Sequence, residues 1–477
     1  MIFILLSELV GPSVAEDFAI EGIACDSRRI KPGYLFVCIE GEKDSGYKYI
    51  DEAERRGAIG IIAQNRIESS IPVILCHNPR KKMAEIAKKI YDVADDFKFI
   101  GVTGTNGKTT VTHLIRDVLM SAGINTALIG TNGCYFNNIK ESDMTFTTST
   151  TPESSELWKI LKKMHDKGAK VCVMEVSSHA LSSYRVFGME FDIGVFTNLT
   201  EDHLDFHKNM QNYFEAKKRL FEMSKFCIIN TDDEYGKRIY EEYYKKAVSI
   251  GFGSCDLRAE EIEYFPDSTR FDIVEDEKRQ SVTVGIAGEF SVYNSLCAYA
   301  VCKKLQISDA VIKKALANTK GVLGRVERID LGTDYNIIID YAHTPDGMEK
   351  IINAVKSFTK GKIITVFGCG GNRDKTKRPI MGRISAILSD FTVITSDNPR
   401  FEDPLDIICD IEKGVVEVGG SYTKITSRYD AIKYALGIAK EGDTVLLLGK
   451  GHEDYIIQKN KKIHFDEREI IKSILNI

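Results

Sequence analysis

Apolar residues along this chain gather into short β-rich runs, set apart by turn-forming segments and by stretches with helical spacing, and the texture changes twice. Up to residue 97, the runs at 35–39 and 59–63 stand among turn-rich pieces, which predicts a small α/β domain closed by a charged helix over 80–96. From Lys98 the order is strand (99–103), Gly-rich turn (104–110) and helix to about residue 122, with a strand at 127–130 completing a βαβ unit. Unbroken apolar runs at 170–176 and 191–198 predict further buried parallel strands in a central domain spanning 98–324. The remainder, 325–477, repeats one theme four times. Strands at 336–340, 362–367, 391–396 and 444–448 each run into a loop dense in Gly, His, Asp or Arg, and the first three lead on into helices. That alternation predicts a doubly wound parallel sheet, whose ligands bind beyond the carboxyl ends of the strands, where all four loops fall.

Length and composition narrow the class. At about 150 residues per domain, 477 residues make roughly three domains. A chain 43% hydrophobic and 28% charged, with 64 basic against 69 acidic side chains, reads as a globular enzyme rather than a basic nucleic-acid binder. No run nears the roughly 18 apolar residues of a membrane span, and the opening MIFILL lacks a basic flank. No membrane insertion and no signal peptide are expected, and the chain is read as cytoplasmic. The 11 cysteines lie scattered without CxxC pairs, which suits reduced, buried thiols and speaks against a zinc site.

The strongest chemical signal is Gly104-Thr105-Asn106-Gly107-Lys108-Thr109-Thr110 between a strand and a helix. Glycines let backbone N–H groups close around phosphate, the lysine reaches the outer phosphates, and a threonine hydroxyl can ligate Mg²⁺. The spacing departs from the general P-loop pattern, because Val102 stands five positions before Gly107. A bland helix-capping turn is the alternative, and the strand–turn–helix context argues against it.

The variant TGTNGKTT resembles the nucleotide loop of the Mur ligases and the related folylpolyglutamate synthetases. Further motifs follow in the family's order: Glu175-Val176-Ser177-Ser178-His179, the run from Thr197 to Asp205, Asp340-Tyr341-Ala342-His343-Thr344-Pro345, and Gly449-Lys450-Gly451-His452-Glu453. Within the family the chain is most similar to members that add the third residue of the peptidoglycan stem peptide. The resemblance implies three α/β domains: a UDP-sugar-binding domain (1–97), a central P-loop ATPase-like parallel sheet (98–324) and a C-terminal Rossmann-like, amino-acid-binding domain (325–477).

It also implies roles. Lys108, Glu175, His203 and Lys217 would be catalytic. Thr109, Glu175, His203 and a CO₂-carbamylated Lys217 would hold Mg²⁺, two ions in all, since a carbamate can ligate a cation where an ammonium cannot. Without the resemblance, Glu175 reads as a strand end, His203 as a capping histidine and Lys217 as part of a solvated basic face. ATP would be held by residues 104–110 with Asn294, Arg325, Asp340 and His343. The UDP-MurNAc-dipeptide would be held by Ser27, Ser149, Thr150, Thr151, Ser177, Ser183 and Arg185. Ser149 and Ser183 depart from the asparagine and glutamine found in relatives, and Ser291 also replaces a common asparagine. Asp397-Asn398-Pro399-Arg400 resembles the signature of members that add meso-diaminopimelate, with Arg373, Gly449 and Glu453 completing that pocket. A guanidinium can grip the carboxylate that distinguishes diaminopimelate from lysine.

The resulting expectation is an ATP-dependent amide ligase working through an acyl phosphate on small-molecule substrates, as a monomer. Lysine is the alternative amino acid. A folylpolyglutamate synthetase should lack the first domain and the Asp397 to Arg400 loop, and a P-loop switch ATPase would need no amino-acid pocket. A pseudo-ligase is disfavoured by the retained Lys108, Glu175, His203 and Lys217. Cys172, Cys369 and the Ser177-Ser178-His179 run suggest nucleophilic catalysis, but no base–orienter set accompanies them.

Overall fold

A computed structural model describes residues 4–10, 18–41, 44–265, 267–459 and 461–476; Met1 to Phe3 of the opening apolar run lie outside them. Strands Gly22–Ala24, Tyr34–Val37, Ala58–Ala63 and Val73–Leu75 form a four-stranded parallel sheet in sequence order. The helix that follows is Pro79–Ile90, capped by the Asn78 side chain. It ends six residues before the expected 96, because Asp92, Asp95 and Asp96 would face the negative end of the helix dipole. The first sheet does not own a separate core on both faces. Leu35, Val37 and Met83 join one apolar cluster with Phe99 and Trp158 of the central unit.

The central unit is an 11-stranded sheet. Its middle is parallel, with Lys98–Thr103 between Val171–Glu175 and Phe191–Phe196. The expected parallel sheet forms this middle, and antiparallel strands extend it on both flanks. At one end Thr126–Gly130 turns back into Gly133–Phe136, and at the other Leu257–Tyr264, Thr269–Glu275 and Lys278–Val284 form a meander. The last hairpin turns at Asp276 and Glu277, both with positive φ (46° and 63°), without the glycine that would have marked a tight turn.

The third sheet runs Glu327–Arg328, Asn336–Asp340, Thr444–Leu448, Ile363–Phe367, Phe391–Ile394, Tyr422–Lys424, parallel except for the first strand. Alternate side chains feed two cores: Ile338, Phe367, Ile394 and Leu446 on one face, Ile337, Val366, Val393 and Val445 on the other. That is the doubly wound arrangement. Because Thr444–Leu448 inserts between Asn336–Asp340 and Ile363–Phe367, the four polar loops meet at the carboxyl ends of the strands. No helix among the described residues is long and apolar enough to cross a membrane.

Candidate active site

The loop at 104–110 leaves strand Lys98–Thr103 and opens helix Lys108–Ser121. Gly104 (φ 151°) and Gly107 (φ 85°) take conformations that side chains disfavour, and a Cβ at Gly107 would lie 2.5 Å from Asn294 Oδ1. Asn294 is thus brought against the loop. Lys108 Nζ donates to the carbonyls of Gly104 and Thr105, both at 2.9 Å. Thr105 Oγ1 is occupied by Thr200 and Tyr213, and Asn106 N donates to Asn198 Oδ1, so the loop is braced by the segment after Phe191–Phe196. Thr109 and Thr110 are buried in the first turn of the helix.

Glu175, buried at the end of its strand, accepts from Thr109 Oγ1 (3.0 Å) and from Thr131 N (2.8 Å) and Oγ1 (3.0 Å). Its backbone carbonyl accepts from Thr151 Oγ1, which also receives Ser177 N. Thr150 Oγ1 lies 3.3 Å from Thr131 Oγ1, and Arg185 joins the carbonyl of Thr151 to Glu153. Thr150, Thr151, Ser177 and Arg185 therefore form one connected wall beside the phosphate loop. Ser149 is exposed and, with Ser183, makes no side-chain hydrogen bond among the described residues; Ser183 ends the short helix Ser178–Ser182.

The donor set suits Mg²⁺. Adjacent ligands about 2.1 Å from an octahedral Mg²⁺ lie about 3 Å apart, which is the separation of Thr109 Oγ1 and Glu175 Oε1, and such an ion ordinarily takes one carboxylate plus phosphate and water. No group of three or more His, Cys, Asp or Glu side chains among the described residues would hold a metal by itself.

Lys217 lies on helix Met210–Glu222 with 1% exposure, and its Nζ donates to Gly104 O at 2.7 Å over the Tyr213 ring. Burial, reinforced by the charge of Lys108, drives its pKa well below the usual lysine value. His203 sits in a left-handed conformation beside Asp202 (3.3 Å) with its side chain 45% exposed, and partial desolvation, with Lys108 and Lys217 acting against Asp202, lowers its imidazole pKa. The third unit reaches this point directly. Arg325 Nη2 lies 3.4 Å from Thr109 Oγ1 with its guanidinium over Tyr341. Asp346, at the start of helix Pro345–Lys356, accepts from Asn106 Nδ2 (2.7 Å) and Thr200 Oγ1 (3.2 Å). The two oxygens of Asp340 accept the amides of Val326 and Ala342, and burial raises its pKa. His343 Nδ1 lies 2.9 Å from the Tyr341 carbonyl, and burial lowers its pKa.

Where the third sheet's loops meet, Asn398 Nδ2 donates to Glu453 Oε2 while its Oδ1 accepts from Lys450 and Ile457 N. Asp397 is buried. Burial would raise its pKa, but Lys450, Arg428 and the Asn398 amide hold it below the usual value. One of its oxygens, Oδ2, is buried with no partner among the described residues and lies 3.1 Å from where a Cβ on Gly449 would stand. Arg400 (φ 54°) donates from Nη1 to Gly371 O at 2.9 Å, and Gly370 separates it from the exposed Arg373. Pro399 O accepts from Glu402 N, turning the chain toward Arg400's strand-like contact with Gln458.

In the first unit, Ser27 donates to Glu52 Oε2 at 2.7 Å, away from the other candidates. A cavity of about 190 Å³ opens nearby against helix Ser154–Asp166, lined by Asp26, Arg29, Tyr34, Glu156 and Lys159 among others. The sequence reading passed over Thr131, Asp202, Asp346 and Lys450. The last three lie within or next to the quoted motifs, whereas Thr131 had no signal beyond its place after a buried strand.

A glycine loop opening a helix, an adjoining wall of hydroxyls and a cluster of charged groups at the third sheet's loops make up the candidate site. The chain matches the Mur ligase family catalytic domain over residues 19–91, the Mur ligase middle domain over 102–302 and the Mur ligase glutamate ligase domain over 324–451. It is 45% identical to the UDP-N-acetylmuramoyl-L-alanyl-D-glutamate--2,6-diaminopimelate ligase of Clostridium tetani (strain Massachusetts / E88), over 96% of this chain and 95% of the relative. A solved structure of a ligase of the same name superposes with a TM-score of 0.71 at 27% identity, covering 100% of this chain and 99% of the other. Mycobacterium tuberculosis folylpolyglutamate synthase shares the fold at 14% identity and TM-score 0.63, over 78% of this chain and 92% of its own. The chain belongs to the Mur ligase family.

Proposed function

We propose that this ligase joins meso-diaminopimelate to the D-glutamyl side-chain carboxylate of UDP-MurNAc-L-Ala-D-Glu, using ATP. The observation that carries the choice of amino acid is the loop cluster in which Arg400 and Arg373 flank Gly370 while Glu453 bonds Asn398: guanidinium groups for the distal carboxylate, a carboxylate for an ammonium. The only bonds Arg400's guanidinium makes among the described residues come from Nη1, so its other nitrogens remain for a ligand.

The 104–110 loop and Lys108 bind the phosphates of ATP, Asn294 lies toward the nucleoside, and Arg325 approaches the phosphate end from the third domain. The γ-phosphoryl group passes to the substrate carboxylate, giving an acyl phosphate and ADP. The amine then attacks the acyl carbon, the C–N bond forms, phosphate leaves and the amine proton is lost. Positioning and charge neutralisation do the catalysis. Mg²⁺, held by Thr109 and Glu175 and at a second position by His203 and modified Lys217, would neutralise phosphate charge. Lys217 suits carbamylation because burial disfavours its protonated form: the free amine nitrogen attacks CO₂, one C–O π pair moves to oxygen, and a proton is released. The wall of Thr150, Thr151, Ser177 and Arg185 holds the muramoyl dipeptide, and the first domain, with Ser27, holds the uridine end. One chain supplies every part, so we read a monomer, and its need for ATP places the reaction in the cytoplasm.

The test is phosphate release with ATP, Mg²⁺ and UDP-MurNAc-L-Ala-D-Glu, comparing meso-diaminopimelate, L-lysine and no amine. Release that depends on diaminopimelate is expected. Dependence on lysine would keep the ligase and remove the guanidinium argument, and release without amine would replace both with an ATPase.

A further inference from the structure

Next to the loops that carry Arg373 and Arg400 lies a charged cluster. Arg378, on helix Lys377–Leu388, has 0% side-chain exposure, and its Nη2 donates to both oxygens of Glu402 at 3.0 Å while Nη1 reaches Asp410 at 3.1 Å. Glu402 also accepts the backbone N–H of Asn372, and Lys375 pairs with it at 3.1 Å. In return, Asn372 Oδ1 accepts the N–H of Phe401 at 3.0 Å. Asn372 precedes Arg373, and Phe401 and Glu402 follow Arg400. The loop carrying one guanidinium is therefore cross-tied to the loop carrying the other, and both residues at the crossing, Asn372 and Arg400, hold positive φ (54° each).

An ion pair with one fully buried partner adds little to stability, since taking that charge out of water offsets much of the attraction. Here Glu402 keeps 14% side-chain exposure, and the buried Arg378 Nε has no partner among the described residues. What the cluster does achieve is a fixed distance between two backbone segments. We infer that Glu402, clamped by Arg378, is a positioning residue that sets the separation of Arg373 and Arg400 and thereby the preference for an amino acid whose side chain ends in a carboxylate. This rests on the substrate reading above.

The experiment measures separate KM values for meso-diaminopimelate, ATP and UDP-MurNAc-L-Ala-D-Glu, with thermal melting, in the parent enzyme, in Glu402→Gln, and in the double variant Arg378→Met/Glu402→Leu. The double variant replaces the pair with apolar groups of similar size, so the helix stays packed. The expected result is a KM for diaminopimelate raised about tenfold or more, as when one charge-assisted hydrogen bond is weakened, with the other two KM values within about twofold and the melting temperature preserved in at least one variant. The preference for diaminopimelate over L-lysine should fall with it. An unchanged diaminopimelate KM in a folded variant overturns the inference, and so does a parallel rise of all three KM values with a lowered melting temperature in both variants. Turnover of the parent with lysine alone overturns the substrate reading and this inference together, and it is seen before any variant is made.

Discussion

Lys217 shows most clearly how one residue can serve chemistry at the expense of stability. A lysine in a solvated basic run needs no partner, yet this one is turned inward, against Gly104 O and the Tyr213 ring, with the charge of Lys108 close by. Its neighbour Lys218, on the same helix, instead pairs with Glu242 at 3.0 Å near the surface. Burying an ammonium without a carboxylate is destabilising, and a carbamate would reverse the sign of the interaction with Lys108. Lys217→Met should therefore leave the melting temperature unchanged or higher while lowering turnover by about 100-fold or more. With ¹³C-bicarbonate, the parent should show a carbamate carbon resonance that the variant lacks. A variant of normal turnover would make Lys217 a structural residue.

At the scale of elements, short loops at strand ends do the positioning. Gly107 opens helix Lys108–Ser121 in a left-handed conformation with Asn294 packed where a side chain would go. Gly107→Ala adds a backbone strain of about 1–3 kcal/mol and displaces Asn294, so it should raise the KM for ATP by about tenfold or more while barely moving the KM for the amino acid. Steady-state kinetics with each substrate varied in turn would check it, and equal effects on both would mean that the loop supports the whole site rather than the nucleotide. Elements also explain where the sequence misled. Helix Pro79–Ile90 stops early because acidic residues follow it, and the hairpin at Asp276 and Glu277 gave no turn signal because neither residue is glycine or asparagine. Strands and helices with strong apolar periods, such as Thr444–Leu448 and Lys108–Ser121, were legible at once, since their burial pattern is written in consecutive residues.

Over the whole molecule, buried imidazoles set the response to pH. The pKa of His113 is pushed down to about 3 and those of His179 and His207 to about 4, in each case mainly by burial. Unfolding releases them to the ordinary value of 6.5, so between 6.5 and about 4 the unfolded chain binds more protons than the folded one. Stability from these groups is complete above pH 6.5 and is lost as pH falls through that window; His464, raised by its contact with Glu469, works weakly the other way at the surface. The melting temperature should fall steadily on acidification through the window, and His113→Leu should make the slope shallower; a flat profile would show that these rings are hydrated in solution. The sequence by itself determined the three α/β units, the phosphate loop and the motif residues around it, because each depends on local periodicity or on a contiguous run of residue types. Only the tertiary structure decided that Lys217 is buried, that Asp346 bonds Asn106 from another unit, that Asp340 holds backbone amides, and that Glu402 ties the two arginine loops. Those facts depend on contacts between residues far apart in the chain, whose distances are set by packing and leave no trace in any one stretch of sequence.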